Sequence, residues 1–259
     1  MTGSPRRPLS AVVIAWNEEG RIGPCLESLR FADEIVVVDS GSTDKTMEVA
    51  RRFTDRVFPV AWKGFGPQKQ AAVDLAAHDI VLNVDCDERV TPELSEEILA
   101  LLAKKEFRAG YDVPRRTFLG GKEIRHSGWY PDRTVRLFDR RKARYSDSAV
   151  HERVVVDGPA GRLENHLLHY SFRGFADILS KTERYTDLSA MEMYASGRRC
   201  GILDLTLRPF LAAFKTYFLR LGFLDGVEGV EIAFAASLYV FAKYAKLREM
   251  GQGPRRGET

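Results

Sequence analysis

Between residues 10 and 103 the chain alternates two periodicities. Residues 11–15, 35–38, 57–60 and 80–84 are short, β-branched apolar runs of the kind that fill strands buried on both faces. Between them the apolar spacing turns helical. Ile22, Leu26 and Leu29 share one stripe within 18–30, Met47, Ala50 and Phe53 within 44–53, and Ala71 and Leu75 within 67–77. Residues 91–103 open on Thr91-Pro92-Glu93, a capping threonine with proline in the first turn, and then carry Leu94, Ile98, Leu101 and Leu102. Strand and helix in regular alternation predict an α/β fold: a mostly parallel, Rossmann-like sheet flanked by helices, with right-handed crossovers.

In such a sheet, ligands bind beyond the carboxyl ends of the strands, so the polar residues there carry the information. Trp16-Asn17-Glu18-Glu19 follows the first run, Asp39-Ser40-Gly41-Ser42-Thr43-Asp44 the second, and Asp85-Cys86-Asp87-Glu88 the fourth. Three acidic clusters on one rim repel one another unless something cationic neutralises them. If the segment is extended, Asp85 and Asp87 point to one face and can meet a hard divalent cation, magnesium or manganese, that bridges the phosphates of a nucleotide diphosphate. Ser42 or Thr43 also fits as the cap of a helix starting near Asp44. Neither a GxGxxG nor a GxxxxGK[ST] pattern is present, so a dinucleotide site and a P-loop are both unsupported.

Composition and charge remove other classes. At 259 residues, 44% hydrophobic and 29% charged, the chain is neither collagen-like nor disordered. Its cysteines, at positions 25, 86 and 200, form no CxxC and no Cys/His spacing, which fits a reducing cytoplasm. A net charge of +3 is too mild to require nucleic acid. The basic start, MTGSPRRPLS, has no apolar h-region behind it, so secretion is not expected. The excess charge is local: residues 113–144 hold ten basic side chains against three acidic ones, interleaved with Trp129, Tyr130 and Phe138. Such a strip can stack on sugars and pair with phosphates, or can be a solvated surface.

Past residue 173 the pattern becomes helical. Residues 203–224 place Leu207, Phe210, Leu211, Phe214, Phe218 and Leu221 on an apolar stripe, with Arg208, Lys215 and Arg220 as the charges beside it. A basic, aromatic-rich amphipathic helix of this kind lies on an anionic membrane surface or packs on a protein. Residues 227–248 form another helical stretch, separated from it by Gly222, Gly226 and Gly229. The longest apolar run, 232–242, has eleven residues, short of the roughly 18 that a membrane span needs.

The ordered motifs AWNEE, VVDSGSTDKT and NVDCDER, followed by WYPDRTVRLFDRR, AVHERV and LLHYSF, resemble family 2 glycosyltransferases of the GT-A fold. They are similar in particular to the bacterial lipopolysaccharide-core branch that holds heptose β-1,4-glucosyltransferases. The resemblance covers roughly residues 8 to 250 and implies inverting transfer of a sugar, glucose in that branch, from a UDP-sugar to an acceptor hydroxyl. It implies that Asn17, Glu18, Asp39 and Ser40 contact the nucleotide and that Asp85 and Asp87 hold ribose, metal and diphosphate. By its place in the order of motifs, His169 is a further metal ligand, as in some metal-dependent GT-A enzymes, or a satisfied structural histidine. His166 would face the opposite side of its strand from His169. Inversion in one displacement needs a base opposite the leaving group. The resemblance gives that role to Glu152, with His151 orienting it or the acceptor; Asp132 is the next choice, and His151-Glu152 could also be a surface ion pair. No QxxRW motif is present, which favours single addition over polymerisation.

The expected organisation is a catalytic domain over 1–172, with its nucleotide half about 8–110 and its acceptor half about 111–172. A helical, membrane-associating appendage over 173–250 and a disordered tail over 251–259 follow. The expected partners are a nucleotide sugar, a lipid-linked or lipopolysaccharide-core glycan and the anionic inner face of the cytoplasmic membrane, with no nucleic acid; the oligomeric state stays open. Two rival functions remain at this point, a nucleotidyltransferase and a non-catalytic sugar-nucleotide or anionic-lipid binder.

Overall fold

The computed structural model describes residues 6–146 and 152–252. In chain order its elements are β1 (Leu9–Ala15), α1 (Ile22–Glu27), β2 (Glu34–Asp39), α2 (Thr46–Ala50), β3 (Val57–Pro59), α3 (Phe65–Leu75), β4 (Ile80–Asn83), β5 (Glu88–Val90) and α4 (Pro92–Leu102). Then come β6 (Gly110–Leu119), β7 (Lys122–Ile124), β8 (Asp132–Asp139), β9 (Ala143–Tyr145), β10 (Val154–Val156), β11 (Ala160–Arg162) and β12 (Leu167–Phe172). Helices α5 (Phe175–Ala195), α6 (Ile202–Leu205), α7 (Leu207–Phe214) and α8 (Val227–Gln252) complete the chain. Two compact units result. One is the chain up to Arg116 together with Asp132–His169; the other is Thr117–Pro131 together with the chain from Tyr170 onward.

The first unit is the α/β body expected from the periodicity. Its strands run in the order β3-β2-β1-β4-β8-β6, the first four mutually parallel and β8 antiparallel to both neighbours. Alternate side chains of each strand enter different cores. Leu9, Ala11, Val13, Ile35, Val37, Ile80 and Leu82 pack with α1, α2 and α4, while Val12, Val36, Val38 and Val81 pack with Ala72 and Val73 of α3. Helices on both faces explain why these strands read as unbroken apolar runs. Thr91 caps α4 as its sequence predicts, its hydroxyl accepting the Leu94 amide at 3.2 Å. The first residues of β12 pair antiparallel with β5, setting His169 opposite Glu88.

The second unit is helical, built around α5 and α8, with Ile178, Ile232 and Ala235 packed against Leu119 and Ile124. Its apolar stretch 203–224 is not the single amphipathic helix expected. Pro209 has no N–H to continue a helix from Leu205, so α6 ends there and α7 begins with the proline in its first turn, where that amide is unpaired anyway. A π turn over Lys215–Leu219 follows, and Leu221, at φ 55°, stops it in the left-handed region. No helix among the described residues is long and apolar enough to cross a membrane. Of the tail expected over 251–259, Gly251 and Gln252 continue α8 and residues 253–259 lie outside the described residues.

Candidate active site

Ala15 pairs with Asp39, so β1 and β2 end level and their following loops meet. Asn17 takes φ 53°, a conformation that asparagine tolerates better than most residues. Its amide donates to Ser42 Oγ at 2.9 Å, and its Oδ1 accepts the Thr43 amide at 2.8 Å. The Glu18 amide donates to Thr46 Oγ1 at 2.7 Å, and the Ser40 amide to the Ala15 carbonyl at 2.9 Å. Asp39 is buried, its Oδ2 accepting the Gly41 and Ser42 amides and its Oδ1 the Ser42 hydroxyl. Asn17, Glu18, Asp39 and Ser40 are thus brought together, on a lip stiffened by its own hydrogen bonds. Ser42 and Thr43 do not cap α2. That helix starts later, at Thr46, and Asp44 Oδ1 takes the Thr46 amide at 2.9 Å.

Beyond β4 the chain does not stay extended. The Glu88 amide donates to the Asp85 carbonyl at 2.9 Å, closing a turn at the DxD segment. Asp85 Oδ2 accepts Arg136 Nη2 at 2.7 Å, and Asp85 Oδ1 lies 3.1 Å from Lys69 Nζ. Asp87 Oδ2 lies 3.5 Å from His169 Nε2. Among the described residues no three His, Cys, Asp or Glu side chains form a ready metal cluster. A carboxylate and an imidazole side by side do fit a divalent ion whose remaining ligands are substrate phosphates and water. Asp87 and His169 are therefore residues that could hold it.

The negative charge of the rim is met largely from inside the protein. Arg136 of β8 is only 3% exposed, and donates to Asn83 Oδ1 at 2.9 Å, Asp85 Oδ2 at 2.7 Å and Glu88 Oε1 at 2.5 Å. Arg115 of β6 bridges Glu88 and Asp132. Burial alone would raise the Asp85 carboxyl, but Arg136 and Lys69 outweigh it and hold that group well below the usual carboxylate range. Burial would likewise depress Lys69, yet Asp85 keeps its ammonium above the usual lysine range. Burial pushes the Tyr145 phenol up to about 12, and Tyr145 donates to Asn83 Oδ1 at 2.7 Å. The basic strip is correspondingly less available than its sequence suggests. Besides Arg115 and Arg136, Arg133 pairs with Asp112, Arg140 donates to the Val73 and Ala76 carbonyls, and Arg141 pairs with Asp139.

Glu152 Oε1 lies 3.2 Å from Lys69 Nζ, so the same ammonium faces both Asp85 and Glu152. His151 lies outside the described residues. Asp132 accepts Arg115 Nε at 3.0 Å. Lys69 was missed in the sequence, while Glu88 and Arg136 were read there only as members of an acidic cluster and of the basic strip, not as partners. Lys69 had a usable signal: on α3 it falls on the buried stripe with Gly66, Ala72 and Val73, where a lysine needs an anionic partner. The partners themselves, 16 and 83 residues away, had none.

Residues 10–160 match the family described as glycosyl transferase family 2. A lipopolysaccharide core biosynthesis glycosyltransferase of Rhizobium meliloti, LpsC, is 34% identical over 255 residues, covering 94% of this chain and 93% of its own. An uncharacterised glycosyltransferase of Rickettsia conorii is 27% identical over 262 residues, covering 96% and 93%. Among solved structures, glucosyl-3-phosphoglycerate synthase of Mycobacterium tuberculosis, in complex with Mn2+ and UDP-glucose, is similar over 43% of this chain and 44% of that one, with 27% identity and a TM-score of 0.36.

Proposed function

We propose that this chain, which belongs to glycosyl transferase family 2, transfers a single sugar with inversion from a UDP-sugar to a hydroxyl of a lipopolysaccharide-core or other lipid-linked glycan. It is a glycosyltransferase by family, and the nucleotidyltransferase alternative is dropped on that ground. One observation carries the finer reading: Asp85 and Glu152 lie 3.1 and 3.2 Å from the same ammonium. A donor-side carboxylate and a candidate base are thus one side chain apart.

In this reading Asn17, Glu18, Asp39 and Ser40 hold the nucleotide on the lip beyond β1 and β2. Asp87 and His169, with Asp85, would hold Mg2+ or Mn2+, which when bound neutralises charge on the leaving diphosphate. Glu152 accepts the proton of the acceptor hydroxyl as its oxygen bonds to the anomeric carbon. The bond from that carbon to the β-phosphate oxygen breaks, and its electron pair leaves with UDP. The developing positive charge on the sugar favours a carboxylate in the Glu152 position. Glucose is the sugar we assign, from the resemblance to heptose β-1,4-glucosyltransferases.

The donor site and the base belong to the first unit. To the second we assign attachment to the inner face of the cytoplasmic membrane. Large apolar side chains stand in water along it, among them Ile202, Phe210, Phe218 and Leu219, each more than half exposed. Their charged neighbours Arg199, Arg208, Lys215 and Arg220 are basic and exposed, which suits anionic lipid. The test of the reaction is mass analysis of products formed from a panel of UDP-sugars and truncated lipopolysaccharide acceptors. A single added hexose is expected. Products extended by many sugars, or none with any donor, would overturn the assignment.

A further inference from the structure

We propose that Lys69 is a positioning residue whose ammonium fixes the Glu152 carboxylate in place against the donor side of the site. The inference rests on Glu152 being the base and goes beyond it by identifying what holds that base.

Lys69 is 6% exposed, on the stripe of α3 that packs against the sheet with Ala72 and Val73. An ammonium at such a position is withdrawn from water, a cost that a methionine of similar length would avoid. Its partners therefore explain its presence. Asp85 is already engaged by Arg136 Nη2 at 2.7 Å, closer than Lys69 Nζ comes to either of its oxygens, at 3.1 and 3.4 Å. Lys69 faces Asp85 Oδ1 where Arg136 holds Oδ2, and, unlike Arg136, it also contacts Glu152, at 3.2 Å.

Glu152 needs such a contact because of where it sits in the chain. It precedes β10, which belongs to the two-stranded β9–β10 ribbon and not to the main sheet. Among the described residues the register of that ribbon starts at Val154 opposite Tyr145, hydrogen bonds between Ser146 and Arg153 extend it by one residue, and Glu152 stands at its end. A base must be held within about 0.5 Å of its working position. An ammonium with three donors, mounted on a helix packed against the sheet, can anchor Glu152 and touch Asp85 at once. Base and donor-side carboxylate are thereby given a common reference point.

The test is a double-mutant cycle on UDP release from UDP-glucose with manganese, using the full chain with Lys69→Met, Glu152→Gln and the two combined. Lys69→Gln is run alongside as a second uncharged variant, and thermal melts check folding. If Lys69 acts through Glu152, Lys69→Met lowers kcat about 10- to 100-fold and changes the Kd for UDP with manganese by less than about threefold. The combined variant then has the kcat of Glu152→Gln alone, within about twofold. Effects that multiply in the combined variant, a Lys69→Met enzyme with normal kcat, or a loss confined to UDP affinity would overturn the inference. Failure of both Lys69 variants to fold would make the lysine a structural ion and overturn it too. Normal turnover in Glu152→Gln would instead remove the base assignment on which the inference stands.

Discussion

Arg136 donates to Asp85 from a buried position on β8, 2.7 Å away, and with a second contact of the same nitrogen, at 2.5 Å, it reaches Glu88. One guanidinium thus bridges two carboxylates that the sheet brings together. Arg136→Met should leave both without that charge and destabilise the protein by about 3–5 kcal/mol, the usual cost of removing one partner of a buried ion pair. Urea denaturation measures it. A loss below about 1 kcal/mol would mean that Lys69 and Arg115 suffice.

Asp87 faces His169, and this pair is the assigned holder of the divalent ion. Asp87→Ala should remove the manganese-dependent part of UDP binding and leave the melting temperature within a few degrees of the parent, since Asp87 lies in a turn outside the core. Calorimetric titration of UDP with and without manganese reads the difference. Equal affinity for UDP with manganese in variant and parent would move the ion elsewhere.

The exposed apolar surface of the second unit predicts binding to vesicles that contain anionic lipid, weakening as salt rises because Arg199, Arg208, Lys215 and Arg220 screen readily. Replacing Phe210, Phe218 and Leu219 by serine should leave the protein in the supernatant after vesicle sedimentation. Binding that survives all three substitutions would contradict the assignment of this surface.

Asp139 accepts the Arg141 amide at 3.0 Å and the guanidinium at 2.9 and 2.7 Å. These hydrogen bonds from Arg141 hold its carboxyl below the usual range, against the opposing effect of burial. A carboxyl depressed by folding stabilises the protein above its unfolded pKa of about 3.9 and loses that contribution as pH falls through the lower folded value. Asp139→Asn should therefore cost about 0.5–1 kcal/mol at pH 7, a modest figure because the Arg141 side chain is largely exposed. The difference should shrink progressively as pH falls below about 4. A gap that does not change with pH in urea denaturation would show that the charge is not its source.

What could be read in the chain before folding is what repeats locally. The parallel strands announce themselves because helices cover both their faces, and Thr91-Pro92 marks α4 because capping needs only neighbours. The lip from Asn17 to Asp39 was legible because strand ends are punctuated by polar residues. The turn at Asp85 was not, since it is closed by the Glu88 amide and held by an arginine 51 residues away. The break at 205–207 was readable in principle from Pro209, but the aromatic periodicity on either side overrode it. Lys69 and Arg136 stayed hidden because their roles consist of contacts between distant segments, which no spacing encodes.

UDP release from UDP-glucose, followed with manganese present and no acceptor added, needs the donor site and the base but no knowledge of the acceptor. The parent enzyme should release UDP slowly, and Glu152→Gln should reduce that release roughly 10²–10⁴-fold with UDP affinity preserved. No release above the enzyme-free rate from any UDP-sugar, or full release in Glu152→Gln, would contradict the proposed reaction.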